Sequence, residues 1–132
     1  MHHSKFPIVD EDKIPNEDTL YRRIHKAHVD RNNNEIMPMA FPTEDDGLSV
    51  NWSRFTNAED TKNEVIVFGK LPENYGVVSL IIGLVRAIPL RVIHDPTQNQ
   101  AHSLILDIPP RKPNGLGIRT RLQGICKWEI HI

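Results

Sequence analysis

The run His94-Asp95-Pro96-Thr97-Gln98-Asn99-Gln100-Ala101-His102 is the densest group of chemically capable side chains in the sequence. Two imidazoles can pass a proton, hold an anion or share a metal, and an aspartate between them can orient a ring or cap a turn. If 90–94 and 102–108 pair as antiparallel strands centred on Gln98, His94 faces His102 across the ladder. Their Cβ atoms would then lie about 5 Å apart. Parity would place Leu90, Val92 and His94 on one face with His102, Leu104, Leu106 and Ile108. Both histidines would end an apolar face. They would either close the rim of the core with backbone partners or floor a pocket ringed by Asp95, Asn99 and Arg23.

The pocket arrangement would bind a ligand or catalyse. A His94/His102 acid–base pair, metal-assisted in one version, suffices for ester or phosphodiester hydrolysis when a cation stabilises the anion formed, and Arg86 and Arg91 are candidates. Metal binding needs a third ligand. Asp95 has the opposite parity, no HExxH is present, and His25 and His28, three apart, have no third partner nearby. No metal and no cofactor are therefore expected. There is no GxSxG, and Cys126 sits among apolar residues as a packed thiol. Gly115-Leu116-Gly117 before Arg119 and Arg121 lacks the spacing of a phosphate loop.

These side chains need elements to carry them. The chain has 132 residues with 39% hydrophobic and 25% charged, the size and balance of one domain with its own core, and its ten prolines imply short elements. A single cysteine excludes an internal disulfide and a cysteine-based zinc site, and suits a reducing, cytoplasmic setting. No secretory leader or membrane span is expected, since the apolar run 77–88 is too short. The net charge of −1 hides a gradient from an acidic front to a basic tail, where 109–132 carry five Lys/Arg against one Asp/Glu. That excess is a weak footprint, so nucleic acid is not the favoured partner.

In order, residues 1–15 read as a polar arm and 16–132 as one domain. The spacing of Leu20, Tyr21, Ile24 and Ala27 predicts a helix over 16–28 capped by Asn16, with Arg22 solvated and Arg23 near the margin of its buried face. Residues 35–41 fit an edge strand, and 43–47 an acidic turn. Leu48, Val50 and Trp52 alternate with Ser49, Asn51 and Ser53 as a half-buried strand. Thr56 to Glu59 matches a capping box. Residues 77–82 read as a buried strand followed by a helical turn to Ala87, with one helix over 77–88 as the rival. Residues 109–115 form a stiff basic loop, 117–127 a helix, and the alternation from Cys126 to Ile132 a closing strand.

Leu20-Tyr21-Arg22-Arg23-Ile24, Ala40-Phe41, Leu48-Ser49-Val50, and His94-Asp95-Pro96 with Asn99 and Ala101-His102 together resemble a family of small bacterial proteins with no established function. The resemblance spans roughly residues 18–108 and implies a self-standing domain; it implies no activity, cofactor or catalytic residue. The expected architecture is α+β: a mainly antiparallel sheet with two or three helices packed on it. The expected function is a module binding a protein partner or small ligand through Arg23, His94, Asp95, Asn99 and His102. The alternative is a small hydrolase or nuclease.

Overall fold

In the computed structural model, residues 6–42, 47–97, 99–110 and 115–132 are described. Among them are eight strands and three α-helices: β1 (Thr19–His25), β2 (Val29–Asp30), β3 (Glu35–Ile36), β4 (Leu48–Trp52), α1 (Ala58–Asn63), β5 (Tyr75–Ile81), α2 (Ile82–Ala87), β6 (Arg91–His94), β7 (His102–Leu106), α3 (Leu116–Ile125) and β8 (Lys127–Ile130). Six strands form one sheet in the order β6-β7-β4-β1-β5-β8, and β2 and β3 form a separate hairpin. Every pairing is antiparallel. The class is α+β, as the alternating segments implied.

The first element departs from expectation. Residues 19–25 form a central strand rather than a helix, paired along its whole length with β5 and at Leu20 and Tyr21 with β4. Leu20 and Ile24 are four apart, a spacing that keeps two residues on one face of a strand as well as of a helix. Pairing on both sides satisfies the backbone of this segment and decides between the two. Asn16 is not a cap; its side chain accepts from Arg86 Nη1 at 2.6 Å.

One face of the sheet is the core. Leu20 and Ile24 of β1, Leu48, Val50 and Trp52 of β4, Val78 and Leu80 of β5, Val92 of β6 and Ile105 of β7 pack there with Ile82 and Val85 of α2 and Leu122 of α3. Arg119 of α3 is also buried, donating from Nε to the carbonyl of Phe41 at 2.7 Å. The run 77–88 resolves as strand then helix: β5 ends at Ile81 and α2 begins at Ile82, while the rival single helix does not form. The capping box shifts by one, since Asn57 rather than Thr56 caps α1, accepting from the backbone N–H of Asp60 at 2.8 Å. Residues 35–41 hold only the short β3 and a 3-10 turn over Pro38–Ala40. The closing helix and strand, α3 and β8, both form. Most of the acidic turn (43–46) and of the basic loop (111–114) lies outside the described residues.

Residues 6–15 lie against the core side of the domain, with Ile14 buried. Arg86 donates to the carbonyls of Ile14 and Glu11, and Arg91 makes a two-pronged pair with the Glu11 carboxylate at 2.7 and 3.1 Å. No described helix is long and apolar enough to cross a membrane.

The opposite face of the sheet is only partly covered. There α1 packs over β1 and β5, with the 3-10 turn Glu64–Phe68 against α1, and Thr61, Val65 and Val77 are buried. Beside them, Tyr21, Arg23, Ser49 and His102 on the same face border an open cleft, and the candidate site lies there.

Candidate functional site

The β6–β7 hairpin places its two histidines on opposite faces of the sheet. His94 pairs with Ser103 rather than His102, so the register is one residue from the expected one. Side chains alternate with a period of two, and a one-residue slip therefore sends His102 to the other side. The loop explains the slip. Asn99 Oδ1 accepts from the Ala101 N–H at 2.8 Å, and the Asp95 carbonyl accepts from the Thr97 N–H at 2.8 Å. The Asp95 N–H to His102 carbonyl bond at 2.9 Å closes the connection in this register. The proposed His94/His102 pair does not exist.

His94 belongs to the core. It is 3% exposed, stacked on Phe55 and edge-on to Trp52. Its Nδ1 meets the backbone N–H of Val9 at 3.0 Å, and its Nε2 meets the carbonyl of Gln100 at 2.7 Å. An N–H can only donate and a carbonyl can only accept, so Nδ1 is bare and Nε2 carries the proton. This ring is satisfied on both nitrogens and structural.

His102 shows the opposite tautomer on the open face. Its Nδ1 lies 2.9 Å from the carbonyl oxygen of Asp95 and 3.3 Å from Asp95 Oδ2. Two acceptors require a proton on Nδ1, which in the neutral ring leaves Nε2 as the lone-pair nitrogen. Nε2 faces Ser49 Oγ at 3.2 Å. Asp95 is itself oriented, with Thr97 Oγ1 donating to its Oδ1 at 2.6 Å.

Arg23 and Asn99 converge on one carboxylate beside this group. Arg23 Nη1 donates to Glu64 Oε1 at 2.9 Å and to the carbonyl of Thr61 at 3.0 Å, while Asn99 Nδ2 donates to Glu64 Oε2 at 2.9 Å. Four of the five expected binding residues thus gather on the open face, and His94 alone is excluded. Arg86 and Arg91, expected as anion stabilisers, instead anchor residues 11–16.

The open face contains a cleft of about 320 Å³, lined by Tyr21, Arg23, Ser49, Asn51, Val65, Phe68, Lys70, Tyr75 and His102, with Arg22 and Val50 at its floor. It exists because β1 and β4 pair only at Leu20 and Tyr21 and then part. Arg22, expected in solvent, fills that gap: Nε and Nη2 donate to the carbonyl of Ala40 and Nη1 to that of Ser49. A second, shallower cleft of about 670 Å³ adjoins it, sharing Arg22, Arg23, Lys70 and Tyr75 and adding His25 and His28. Burial, followed by the neighbouring His25 and Arg22 charges, holds His28 below the usual imidazole range. Burial and then the Glu129 charge raise the Tyr21 phenol.

Cations dominate the lining. No carboxylate lines either cleft among the described residues. Within that same set, no acceptor holds the Lys70 ammonium, and Nε and Nη2 of Arg23 make no hydrogen bond. No three His, Cys, Asp or Glu side chains gather as a metal set among the described residues. Cys126 lies elsewhere, its thiol pushed up to about 12 by burial.

The sequence does not mark Ser49, Lys70, Tyr21, Tyr75 or Glu64 as site residues. Only for Ser49 was there a signal, since the alternation over 48–52 already set it and Asn51 on the face away from the core. No protein-family model, curated protein or solved structure matches this chain, so the site is read from its own geometry.

Proposed function

We propose that the chain is a binding module for a small organic anion, held in the paired clefts of the open sheet face. The observation that carries this reading is that, among the described residues, Lys70 and the outer edge of Arg23 have no acceptor and no carboxylate lines either cleft. Cations gathered along a cleft, the half-buried Arg23 and the exposed Lys70, focus a positive potential that favours an anionic ligand. Arg23 is held in place by Glu64 and Thr61, so its free N–H groups are already oriented. The ligand's organic part would lie on Phe68 and Tyr75, whose rings border both the cations and Ser49.

Titration with inorganic phosphate and with phenyl phosphate, followed by calorimetry and thermal melting, tests this. Saturable binding is expected, with Tm rising above that seen in sodium chloride of equal ionic strength. Phenyl phosphate should bind more tightly. Lys70→Ala should weaken both about tenfold, the equivalent of the roughly 1.5 kcal/mol that a hydrogen bond to a charged group contributes. No saturable response in the folded wild type, or equal affinity in Lys70→Ala, would overturn the reading.

A further inference from the structure

We propose that Ser49 is a nucleophile for acyl transfer, with His102 as its general base and Asp95 as the positioning residue. The geometry points there through the chain of contacts Ser49 Oγ to His102 Nε2 at 3.2 Å and His102 Nδ1 to Asp95 Oδ2 at 3.3 Å. A serine near a histidine is common, and the tautomer is what gives this pair its direction. The Asp95 carbonyl at 2.9 Å holds a proton on Nδ1, so in the neutral ring Nε2 is the basic nitrogen and accepts from the Ser49 hydroxyl. That is the arrangement a hydroxyl nucleophile requires, with a base within reach and the base oriented by a third group.

Accessibility agrees. Ser49 is exposed and lines the cleft, the imidazole of His102 is 23% exposed, and Asp95 lies behind it, tied to Thr97. The backbone of Ser49 is fixed on both sides by its pairing with Leu104 and by the Arg22 guanidinium on its carbonyl. Continuing the register of Leu20 with Trp52 and Tyr21 with Asn51 sets Arg23 opposite Ser49 across the parted strands. The unoccupied N–H groups of Arg23 and the Lys70 ammonium are the cations that can meet a developing oxyanion.

The step balances without a further reactant. Ser49 Oγ attacks the carbonyl carbon of an ester as its proton passes to His102 Nε2, forming a tetrahedral oxyanion. Collapse breaks the carbon–oxygen bond to the leaving alkoxide, which takes the proton from Nε2 and departs as an alcohol. Water then attacks the acyl-serine, giving one proton to Nε2; collapse returns it to Ser49 Oγ and releases the acid. The substrate class is an ester that also carries a carboxylate or phosphate. That preference rests on the anion-binding reading, whereas the nucleophile rests on the Ser49–His102–Asp95 geometry alone.

A neutral fluorophosphonate, which phosphonylates activated serines with loss of fluoride, separates the two parts. Intact mass spectrometry of the folded wild type should show a single adduct, and fragmentation should place it on Ser49. Ser49→Ala should abolish it, and His102→Ala should slow it about a hundredfold. With 4-nitrophenyl acetate, Asp95→Asn should lower kcat at least about tenfold at unchanged KM, a split that loss of structure would not produce. No adduct in the wild type at millimolar probe, an adduct on another residue, or labelling retained in Ser49→Ala overturns the nucleophile. Mapping the wild-type adduct decides this even if a variant fails to fold. Inorganic phosphate should slow the labelling; labelling indifferent to phosphate overturns the anionic substrate class and leaves the nucleophile standing.

Discussion

At the scale of single residues, His94 and His102 have opposite tautomers because their partners differ in kind. His94 accepts from the Val9 N–H and donates to the Gln100 carbonyl; His102 donates to the Asp95 carbonyl and offers its lone pair to Ser49. The first is sealed between Trp52 and Phe55, and the second lines a cleft. Their substitutions should therefore separate stability from chemistry. His94→Ala should cost about 2–4 kcal/mol, from the cavity left beside Trp52 together with two buried groups stripped of their partner. Urea denaturation measures the cost, and phosphate affinity of the folded fraction should not change. A midpoint equal to that of the wild type would contradict the structural role. Of the five residues expected to bind, Asp95, Asn99 and His102 were legible as polar groups of one loop, and Arg23 as a cation near the margin of a buried face. Ser49 was not, because its partner lies 53 positions away in the sequence.

At the scale of elements, the sheet owes its site to one incomplete pairing. β1 and β5 are zipped from Thr19 to His25, whereas β1 and β4 part after Tyr21, and Arg22 bridges the opening by donating to the Ser49 carbonyl of β4 and the Ala40 carbonyl. Across the other edge, β8 approaches β5 at Gly76, where an added Cβ would stand 2.6 Å from the Ile130 carbonyl oxygen and 2.7 Å from the Trp128 ring. Gly76→Ala should displace β8 and destabilise the fold by about 1–3 kcal/mol. Hydrogen exchange would show faster exchange in β8 and little change in β6 and β7; uniform protection would refute it. The strands β4 to β8 were readable from alternation and β-branched runs. β1 was not, since Leu20 and Ile24 satisfy both periods and its neighbours in the sheet come from distant parts of the chain.

At the scale of the whole molecule, charge is distributed by face rather than by position along the chain. The acidic front contributes Glu11, whose pairing with Arg91 holds its carboxyl below the usual range. The groove on the opposite side collects Arg22, Arg23, Lys70, His25 and His28. Both shifts act in the same direction on acidification. His28 has a folded pKa below its unfolded value of about 6.5, so the unfolded chain takes up its proton first and stability falls as pH drops below that point. Glu11, also depressed, loses its contribution in a lower window as pH falls from its unfolded value through the folded one. Melting from pH 7.5 to 4 should therefore show Tm declining first near pH 6.5, and His28→Asn should flatten that first decline. An unaltered profile in His28→Asn would assign it elsewhere.

The sequence by itself determined that the chain builds an α+β domain, that strands flank the 94–102 loop, and that this loop is rich in polar groups. Local alternation and turn chemistry are enough for that, because they act over a few residues. Only the tertiary structure decided that residues 19–25 are a strand and that His94 and His102 part to opposite faces. It also decided that His102 turns its free nitrogen to Ser49. Each of these depends on register between segments far apart in the chain, and a slip of one residue reverses which side chains meet.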